Sequence, residues 1–439
     1  MTERRYLSAD VIVVGTGPGG LAVGRELAMG GKKVIFFERG LDHRRRSYYG
    51  TYVGPMLYAD RMGLLFSREG IGIMRPLMLG GATGMFYGSA AAPPVWLKRK
   101  YRIDIEADTA AILGELGVAP LPEKLRGAAS TRIAAAADSL GYAWFPQPKF
   151  MNPDRGVGFY CGAACALGCR CGAKWNAAEY ADDAVSLYNA ELYTGARVDR
   201  VLVDDGCASG VEGVMGWTPF TARAGAVILA AGAIGTPRIL QASGFEDAGV
   251  GMGVDAAAIV YGRFPGGGMA YDPPMAWSWE NPHDGYMMST LVDPRLVYPF
   301  AAARTGMRHA LDWPRWADMA GIMIMIGDDI SGGVFGRRAV RKPLTPSDYE
   351  KLSRAKKIAE MILLKAGAER SSIFMRPLFG AHPSATVRVG FMVDANCKTE
   401  ADGLYVCDAS VLPESPGRPP VLTILGLARR LARHLVKKR

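Results

Sequence analysis

The chain has 439 residues, of which 49% are hydrophobic and 21% are charged, so it is long enough to bury a sizeable core. Its most apolar run, residues 319–327, is about half of the roughly 20 residues that a membrane-spanning helix needs, which predicts no transmembrane segment. The net charge of +10 comes from scattered basic residues without an aromatic-interleaved basic motif, which argues against nucleic-acid binding. The N-terminus lacks the apolar core of a signal peptide, so we expect a cytoplasmic protein.

The first elements along the chain are predicted to be a strand, a glycine-rich turn, a helix and a second strand. Residues 11–14, VIVV, form a continuous apolar run that is typical of a strand buried on both faces. Gly15, Gly17 and Gly20 follow in the pattern GxGxxG, and the second strand ends at Glu38. This order of elements is typical of a dinucleotide-binding unit.

Each glycine of this turn has its own physical role in such a unit. Gly15 permits the tight turn, Gly17 lets the backbone approach a pyrophosphate, and Gly20 lets the helix pack against the strand. Glu38 is placed to accept hydrogen bonds from a ribose diol, which a ligand-free glycine turn does not explain. FAD and NAD both use this unit, and Arg39 is also compatible with a 2′-phosphate.

Four of the seven cysteines lie in the segment FYCGAACALGCRCGAKW, residues 159–175. They are Cys161, Cys165, Cys169 and Cys171, in the spacing C-x3-C-x3-C-x-C. Three interpretations stay open: an iron–sulfur cluster, a zinc site, or small buried residues of which some are redox-active. A cytoplasmic setting argues against structural disulfides.

The segment 264–294 is rich in aromatic residues and methionines that line either an apolar substrate pocket or an ordinary core. These residues are Met275, Trp277, Trp279, Met287 and Met288. His283 in the same segment is a weak candidate base because no motif surrounds it. Residues 344–367 predict a capped amphipathic helix without a chemical role.

Three segments in the second half of the chain resemble the signatures of a known family. Residues 232–244, GAIGTPRILQASG, are close to the pattern GAI-x-SP-x-LL-x-x-SG. Residues 382–386, HPSAT, resemble H-x-x-GT, and residues 403–413, GLYVCDASVLP, resemble the closing segment of the same family. Together with the N-terminal GxGxxG turn, these motifs make the chain similar to the glucose–methanol–choline (GMC) oxidoreductases, which depend on FAD.

The resemblance implies an α/β fold, with a Rossmann-like FAD-binding domain built from discontinuous segments and an interrupting α+β substrate domain. We expect the parts of the FAD-binding domain in residues 1–95, 156–245 and 379–439. Residues 96–155 are expected to form a linker and helical segment, and residues 246–378 the substrate domain.

The resemblance also implies a set of contacts to FAD. Asp408 is expected near the ribityl chain or the pyrophosphate, and Val198 near the adenine. Gly80 and Gly81 lie where the first signature of the family passes the flavin. That signature is poorly kept, because Ala82-Thr83-Gly84 replaces its usual serines.

His382 is the candidate catalytic residue. In the family, the histidine of H-x-x-GT removes the hydroxyl proton while hydride moves to flavin N5, and an imidazole titrates in the range that suits a general base. Without the motif, His382 reads as a turn residue before a proline. Pro419 and Pro420 replace the usual second His or Asn, so His382 acts alone, or with Arg418 or a residue of the substrate domain.

The sequence therefore predicts an FAD-dependent oxidoreductase that oxidises the hydroxyl group of an apolar small molecule and passes electrons to an external acceptor. An iron–sulfur cluster would make a dehydrogenase more fitting than an oxidase. The alternatives are a flavin-dependent desaturase or ene-reductase, an electron-transfer flavoprotein that uses the cysteines, and an inactive protein with FAD as a structural ligand.

Overall fold

The computed structural model describes residues 3–63, 65–336 and 339–437. The α-helices are Pro18–Met29, Gly54–Tyr58, Val95–Arg99, Glu106–Glu115, Ala128–Ser139, Ala178–Tyr188, Gly232–Ala242, Tyr298–Ala303, Met307–Ala310, Pro346–Lys365 and Val421–Lys437. The strands of the two large sheets are given below with the sheet to which they belong. Shorter strands outside these sheets are Ala119–Pro120, Pro148–Lys149, Val250–Met252, Ser331–Phe335 and Ala339–Arg341.

The first sheet has seven strands among the described residues and contains the predicted dinucleotide-binding unit. In spatial order they are Glu191–Tyr193, Val34–Phe37, Arg5–Val14, Thr218–Leu229, Cys207–Met215 and Ala196–Asp204, with Leu404–Val406 also paired to Thr218–Leu229. Arg5–Val14 pairs in parallel with both of its neighbours, and its last four residues are buried. Helix Pro18–Met29 packs between helices Ala178–Tyr188 and Val421–Lys437, and the four residues of strand Val34–Phe37 are all buried.

The carboxyl ends of the parallel strands meet at one edge of this sheet. Gly15, Glu38 and Ala230 each follow a strand directly, and Asp408 follows the short C-terminal strand. In open α/β sheets this edge is where ligands bind. The topology thus brings the residues singled out at the two ends of the sequence to the same side of the molecule.

The second sheet has eight strands among the described residues and its own hydrophobic core. Its strands are Gly72–Ile73, Phe379–Gly380, Ala256–Arg263, Met319–Ile326, Tyr286–Thr290, Trp277–Asn281 and Phe145–Pro146, with Phe374–Met375 also paired to Ala256–Arg263. Helix Pro346–Lys365 covers the central strands. Strand Gly72–Ile73 lies in the segment 1–95, predicted as part of the FAD-binding domain, and strand Phe145–Pro146 lies in the predicted linker and helical segment 96–155. The domain boundaries remain a prediction.

The apolar run at 319–327 forms the strand Met319–Ile326, in which every residue is buried. Among the described residues, no helix combines the length and the apolar character that a membrane crossing needs. The predicted capped helix is present as Pro346–Lys365. Its N-cap Thr345 accepts a hydrogen bond from the Asp348 backbone N–H, and the Asp348 carboxylate accepts one from the Thr345 backbone N–H.

We expect the substitution Thr345→Ala to loosen the first turn of this helix, because the capping hydroxyl is worth about 1 kcal/mol. Amide hydrogen exchange in the peptide that covers residues 345–352 should then be about fivefold faster. The control is Ser353→Ala at an exposed position in the same helix, which should leave the exchange rate unchanged. Equal exchange in the two variants would contradict a role for the cap.

Candidate active site

A cavity of about 970 Å³ opens at the ligand-binding edge of the first sheet and reaches the second sheet. Its volume lies at the upper end of the roughly 300–1,000 Å³ that is typical of ligand sites. The predicted site residues on its wall are Gly15, Gly17, Glu38, Gly81, Val198, His382 and Asp408. One continuous cavity therefore connects the dinucleotide-binding turn with the candidate base.

The glycine-rich turn has the shape that a bound pyrophosphate requires. A Cβ atom on Gly15 would lie 2.3 Å from the Ala230 carbonyl oxygen, and one on Gly20 would lie 2.2 Å from the Gly15 oxygen. A Cβ atom on Gly17 would meet nothing within 4 Å, so the Gly17 backbone borders open space. Gly17 is also the N-cap of helix Pro18–Met29 and has no side-chain cap, which leaves the helix N-terminus to an anion.

Glu38 is held in place by three donors. Its Oε2 accepts hydrogen bonds from the Thr16 backbone N–H at 3.0 Å and from the Thr16 hydroxyl at 2.7 Å, and its Oε1 accepts one from the Gly40 N–H at 2.7 Å. A carboxylate offers about four lone-pair sites, so at least one remains for a ribose hydroxyl. The carboxylate is thus oriented on the cavity wall before any ligand binds.

Asp408 joins the last strand of the sheet to helix Gly232–Ala242. Its Oδ2 accepts hydrogen bonds from the Gly232 N–H at 2.8 Å and the Thr236 hydroxyl at 2.5 Å, and its Oδ1 accepts one from the Ser410 N–H at 2.8 Å. Burial raises the pKa of Asp408, and these hydrogen bonds act in the opposite direction. The side chain therefore fixes the turn at which the helix begins.

Two predicted cofactor residues, Gly20 and Gly80, do not line the cavity themselves. Gly80 adopts a φ of 88°, and a Cβ atom there would lie 2.0 Å from Asn176 Oδ1. Asn176 Oδ1 also lies 3.3 Å from the hydroxyl of Thr83, one of the residues that replace the usual serines. Gly80 thus packs against Asn176 on the side of the loop away from the cavity, while Gly81 lines the cavity.

His382 lies on the cavity wall and is fixed at both its backbone and its ring. Its N–H donates to the Val254 carbonyl oxygen at 2.8 Å, and its Nδ1 lies 2.9 Å from Asp255 Oδ2. A neutral imidazole that donates from Nδ1 to a carboxylate carries its lone pair on Nε2. The geometry therefore gives Nε2 the chemistry of a base.

Asp255 is wholly buried and has a φ of 48°, a left-handed conformation that is uncommon for residues other than glycine. Its second oxygen, Oδ1, accepts hydrogen bonds from the Ser415 hydroxyl and the Gly417 N–H, both at 2.7 Å. Sequence reasoning missed this residue. The available signal was a single acid directly before strand Ala256–Arg263, which begins with the apolar run AAAIVY.

A buried ion pair between Lys342 and Asp328 holds the backbone on both sides of Asp255. Lys342 Nζ lies 2.5 Å from Asp328 Oδ2, and both side chains are fully buried. Asp328 also accepts hydrogen bonds from the N–H groups of Val254 and Ala256, the two neighbours of Asp255. Burial raises the pKa of Asp328, against the effect of Lys342. The pair thus anchors both ends of the strained residue.

Arg418, the named candidate partner of His382, instead forms an ion pair with Glu280 at 3.0 Å. His283, the weaker candidate base, has a side chain that is 96% exposed. Pro419 and Pro420 do line the cavity, in agreement with their predicted position.

Of the five predicted apolar pocket residues, only Met275 lines the cavity. Met287 and Met288 are buried in the core of the second sheet, and Trp277 and Trp279 pack against that core. Met323 and Met325 from strand Met319–Ile326 contribute to the cavity instead. The inside of this sheet is therefore rich in methionine, a flexible side chain that adapts to apolar ligands.

The arrangement of the described cysteines gives no support to a metal centre. No group of three or more His, Cys, Asp or Glu side chains in the described ranges is arranged to hold a metal ion. The Sγ atoms of Cys169 and Cys171 lie 3.7 Å apart, and Cys161 packs against the small buried cluster that contains Cys165. The iron–sulfur and zinc interpretations thus receive no support from this arrangement.

Comparisons with known proteins agree with this geometry. Residues 90–256 match the N-terminal model, and residues 340–428 the C-terminal model, of the family described as GMC oxidoreductase. The chain belongs to the GMC oxidoreductase family. GMC oxidoreductases are FAD-dependent, so membership supports the prediction of FAD. The α/β fold with a Rossmann-like domain and an interrupting substrate domain is also confirmed.

Three similar proteins illustrate the range of this GMC oxidoreductase's relatives. An uncharacterised GMC-type oxidoreductase of Mycobacterium tuberculosis is 26% identical over 98% of this chain and 76% of its own length. A long-chain-alcohol oxidase of Arabidopsis thaliana is 24% identical over 98% of this chain and 67% of its own length. The crystal structure of pyridoxine 4-oxidase from Mesorbium loti superposes with a TM-score of 0.70 at 16% identity, covering 98% of this chain and 99% of that one.

We expect Gly17→Leu to weaken cofactor binding about tenfold or more, because the new side chain would project into the cavity at the pyrophosphate position. Flavin absorbance per protein after purification, and titration of the apoprotein with FAD, measure the effect. Gly114→Leu is the matched control, since a Cβ atom there also meets nothing within 4 Å but the residue lies at an exposed position of helix Glu106–Glu115, away from the cavity. Equal FAD content in the two variants would contradict the assignment.

Proposed function

We propose that the protein is an FAD-dependent oxidoreductase that oxidises a hydroxyl group of an organic molecule, with His382 as the general base. The observation that carries this proposal is the 2.9 Å contact between His382 Nδ1 and the buried carboxylate of Asp255, on the wall of the cavity that Gly17 and Glu38 also line. The residues proposed to bind the cofactor and the residue proposed to accept the proton thus line the same cavity.

The residues around the cavity fit FAD. The backbone at Gly17 would hold the pyrophosphate, Glu38 the adenosine ribose, and Val198 the adenine. Gly81 and Asp408 would border the ribityl chain and the flavin ring. When bound, FAD supplies a two-electron acceptor for hydride. Every other step depends on the side chains of this chain.

His382 would take the hydroxyl proton at Nε2. This transfer makes an imidazolium, which the neighbouring carboxylate of Asp255 stabilises by charge and by its hydrogen bond to Nδ1. The hydrogen bonds from Ser415 and Gly417 keep Asp255 in its acceptor role. A positioned general base of this kind contributes roughly 100- to 10,000-fold to the rate.

The substrate is proposed to be an apolar alcohol. Met275, Met323 and Met325 line the cavity together with Leu378 and Phe379, close in sequence to His382. The names of the relatives, a long-chain-alcohol oxidase and a pyridoxine 4-oxidase, support a small molecule with a hydroxyl group.

The electron acceptor is a separate question. The prediction of a dehydrogenase depended on an iron–sulfur cluster, which the described cysteines do not support. Two of the similar proteins are named as oxidases. The rate of oxygen consumption and the rate of reduction of an artificial electron acceptor, both measured at one substrate concentration, distinguish an oxidase from a dehydrogenase. The cytoplasmic location remains a prediction from the sequence.

We expect His382→Ala to retain FAD but to slow the reduction of the flavin by an alcohol roughly 100-fold or more, the usual effect of losing a general base. Anaerobic stopped-flow absorbance with a panel of primary alcohols of increasing chain length measures this rate. FAD content serves as the internal control for folding. A rate within a few-fold of the wild type would return His382 to the role of a turn residue.

We expect Asp255→Asn to slow the same step roughly 10- to 100-fold, since an amide can donate to Nδ1 and move the imidazole proton to Nε2. The pH at which the rate of flavin reduction reaches its maximum should also change, which a loss of packing alone would not cause. Asp205→Asn is the matched control, because Asp205 also has a positive φ, of 49°, but is exposed. An unchanged pH profile in Asp255→Asn would contradict the positioning role.

A further inference from the structure

Apolar side chains that face solvent surround part of the opening of the cavity. Phe66, Met74 and Phe300 all line the cavity, yet they are 41%, 47% and 76% exposed. A side chain that borders a cavity and is also open to solvent lies where the cavity meets the protein surface. These three residues therefore mark the mouth of the cavity.

Two segments of the chain, residues 60–76 and 294–315, meet at this mouth. The Arg304 guanidinium lies 5.7 Å from the centroid of the Phe66 ring, and it donates a hydrogen bond to the Gly70 carbonyl oxygen at 3.3 Å. Arg304 directly follows helix Tyr298–Ala303, which carries Phe300. The exposed rings of Phe66 and Phe300 thus belong to one surface.

A strained turn adds a fourth apolar side chain to the mouth. Arg61 and Met62 have φ angles of 52° and 57°, in the left-handed region that residues other than glycine rarely adopt. Arg61 and Gly63 line the cavity, whereas Met62 is 60% exposed. A Cβ atom on Gly63 would lie 3.7 Å from Met74 Cε, which places the turn beside the mouth. Met62 and the three residues of the mouth form an apolar rim, and strain of this kind is typical of functional segments.

The surface around the rim carries positive charge. Residues 60–76 and 294–315 contain seven arginines and three acidic residues. Each acid already has a basic or backbone partner: Asp60 has Arg75, Asp312 has Arg263, and Glu69 has the Lys342 N–H. Arg68, Arg304 and Arg308 are exposed. The rim is therefore an apolar surface within a cationic one.

We propose that this rim docks on the surface of a lipid bilayer that contains anionic lipids. Phenylalanine and methionine side chains enter the boundary between headgroups and acyl chains, while neighbouring arginines pair with lipid phosphates. A second copy of the chain fits this surface less well, because two cationic rims repel each other. Each arginine near an anionic membrane strengthens binding by about fivefold.

Docking in this orientation would open the cavity towards the lipid. The wall between the rim and His382 contains methionines, which adapt to apolar ligands. A hydroxyl compound dissolved in the bilayer could then enter the cavity without crossing water. This route for the substrate rests on the proposed function, whereas binding to the bilayer does not.

The test measures flotation of the purified protein, with its bound FAD, on vesicles without added alcohol. Vesicles of phosphatidylcholine are compared with vesicles that also contain phosphatidylglycerol. We expect the partition coefficient to be about tenfold higher or more on the anionic vesicles, and to fall as salt is added. Arg304→Gln should lower it about fivefold on anionic vesicles and leave it unchanged on phosphatidylcholine.

The apolar contribution is tested separately with Phe300→Glu and Met62→Glu. Each should lower the partition coefficient about tenfold or more, because a carboxylate replaces an apolar contact and meets an anionic surface. Tyr6→Glu is the matched control, since Tyr6 is 75% exposed but lies at the amino end of strand Arg5–Val14, opposite the ligand-binding edge. FAD content and the thermal unfolding temperature verify that each variant folds.

The outcomes separate this proposal from the proposed function. Vesicle binding by a protein that oxidises no alcohol would support the docking surface and overturn the proposed function. Equal binding of the wild type, Phe300→Glu and Met62→Glu, or no binding to either kind of vesicle, would overturn the docking surface. Self-association in solution that Phe300→Glu abolishes would also overturn it, since a second copy would then cover the rim.

Discussion

The buried carboxylate of Asp255 joins parts of the chain that are far apart in sequence, and the candidate active site depends on it. One oxygen holds the ring of His382, 127 positions away, and the other accepts hydrogen bonds from Ser415 and Gly417, more than 150 positions away. A buried carboxylate without such donors would be costly, so these contacts also hold the last segment of the chain against the second sheet. The same hydrogen bonds therefore orient the candidate base and hold the C-terminal segment in the fold.

The protein handles buried charge in two different ways. Lys342 is paired with Asp328 by a direct contact of 2.5 Å, which is the usual solution for a buried cation. Lys149 instead donates to the backbone carbonyl oxygens of Tyr87 and Pro274, and Lys174 donates to those of Phe86 and Cys165.

The ligand-binding edge is fixed by backbone geometry more than by side chains. The turns after the parallel strands bring Gly15, Ala230 and Asp408 together, and a Cβ atom on Gly15 would collide with the Ala230 carbonyl. A Cβ atom on Gly17, by contrast, would meet nothing within 4 Å. The space proposed for the cofactor phosphates thus lies between closely packed backbone segments, and methionines line the proposed substrate side of the cavity.

Features that depend on neighbours in sequence were readable from the sequence alone. The GxGxxG turn between strand and helix, the acid at Glu38, the strand before Asp408 and the family motifs around His382 all occupy short windows, because a strand, a turn or a helix end is specified locally. The predicted fold class and family followed from these windows and are confirmed.

Features that depend on contacts across the chain were decided only by the tertiary structure. Asp255 as the partner of His382, and the backbone carbonyl groups that accept from the buried Lys149 and Lys174, have no local pattern. The spacing of the four cysteines suggested a metal centre, but a spacing does not state which way each side chain points. In the folded chain, Cys169 and Cys171 have their Sγ atoms 3.7 Å apart, and no group of side chains in the described ranges is arranged to hold a metal ion.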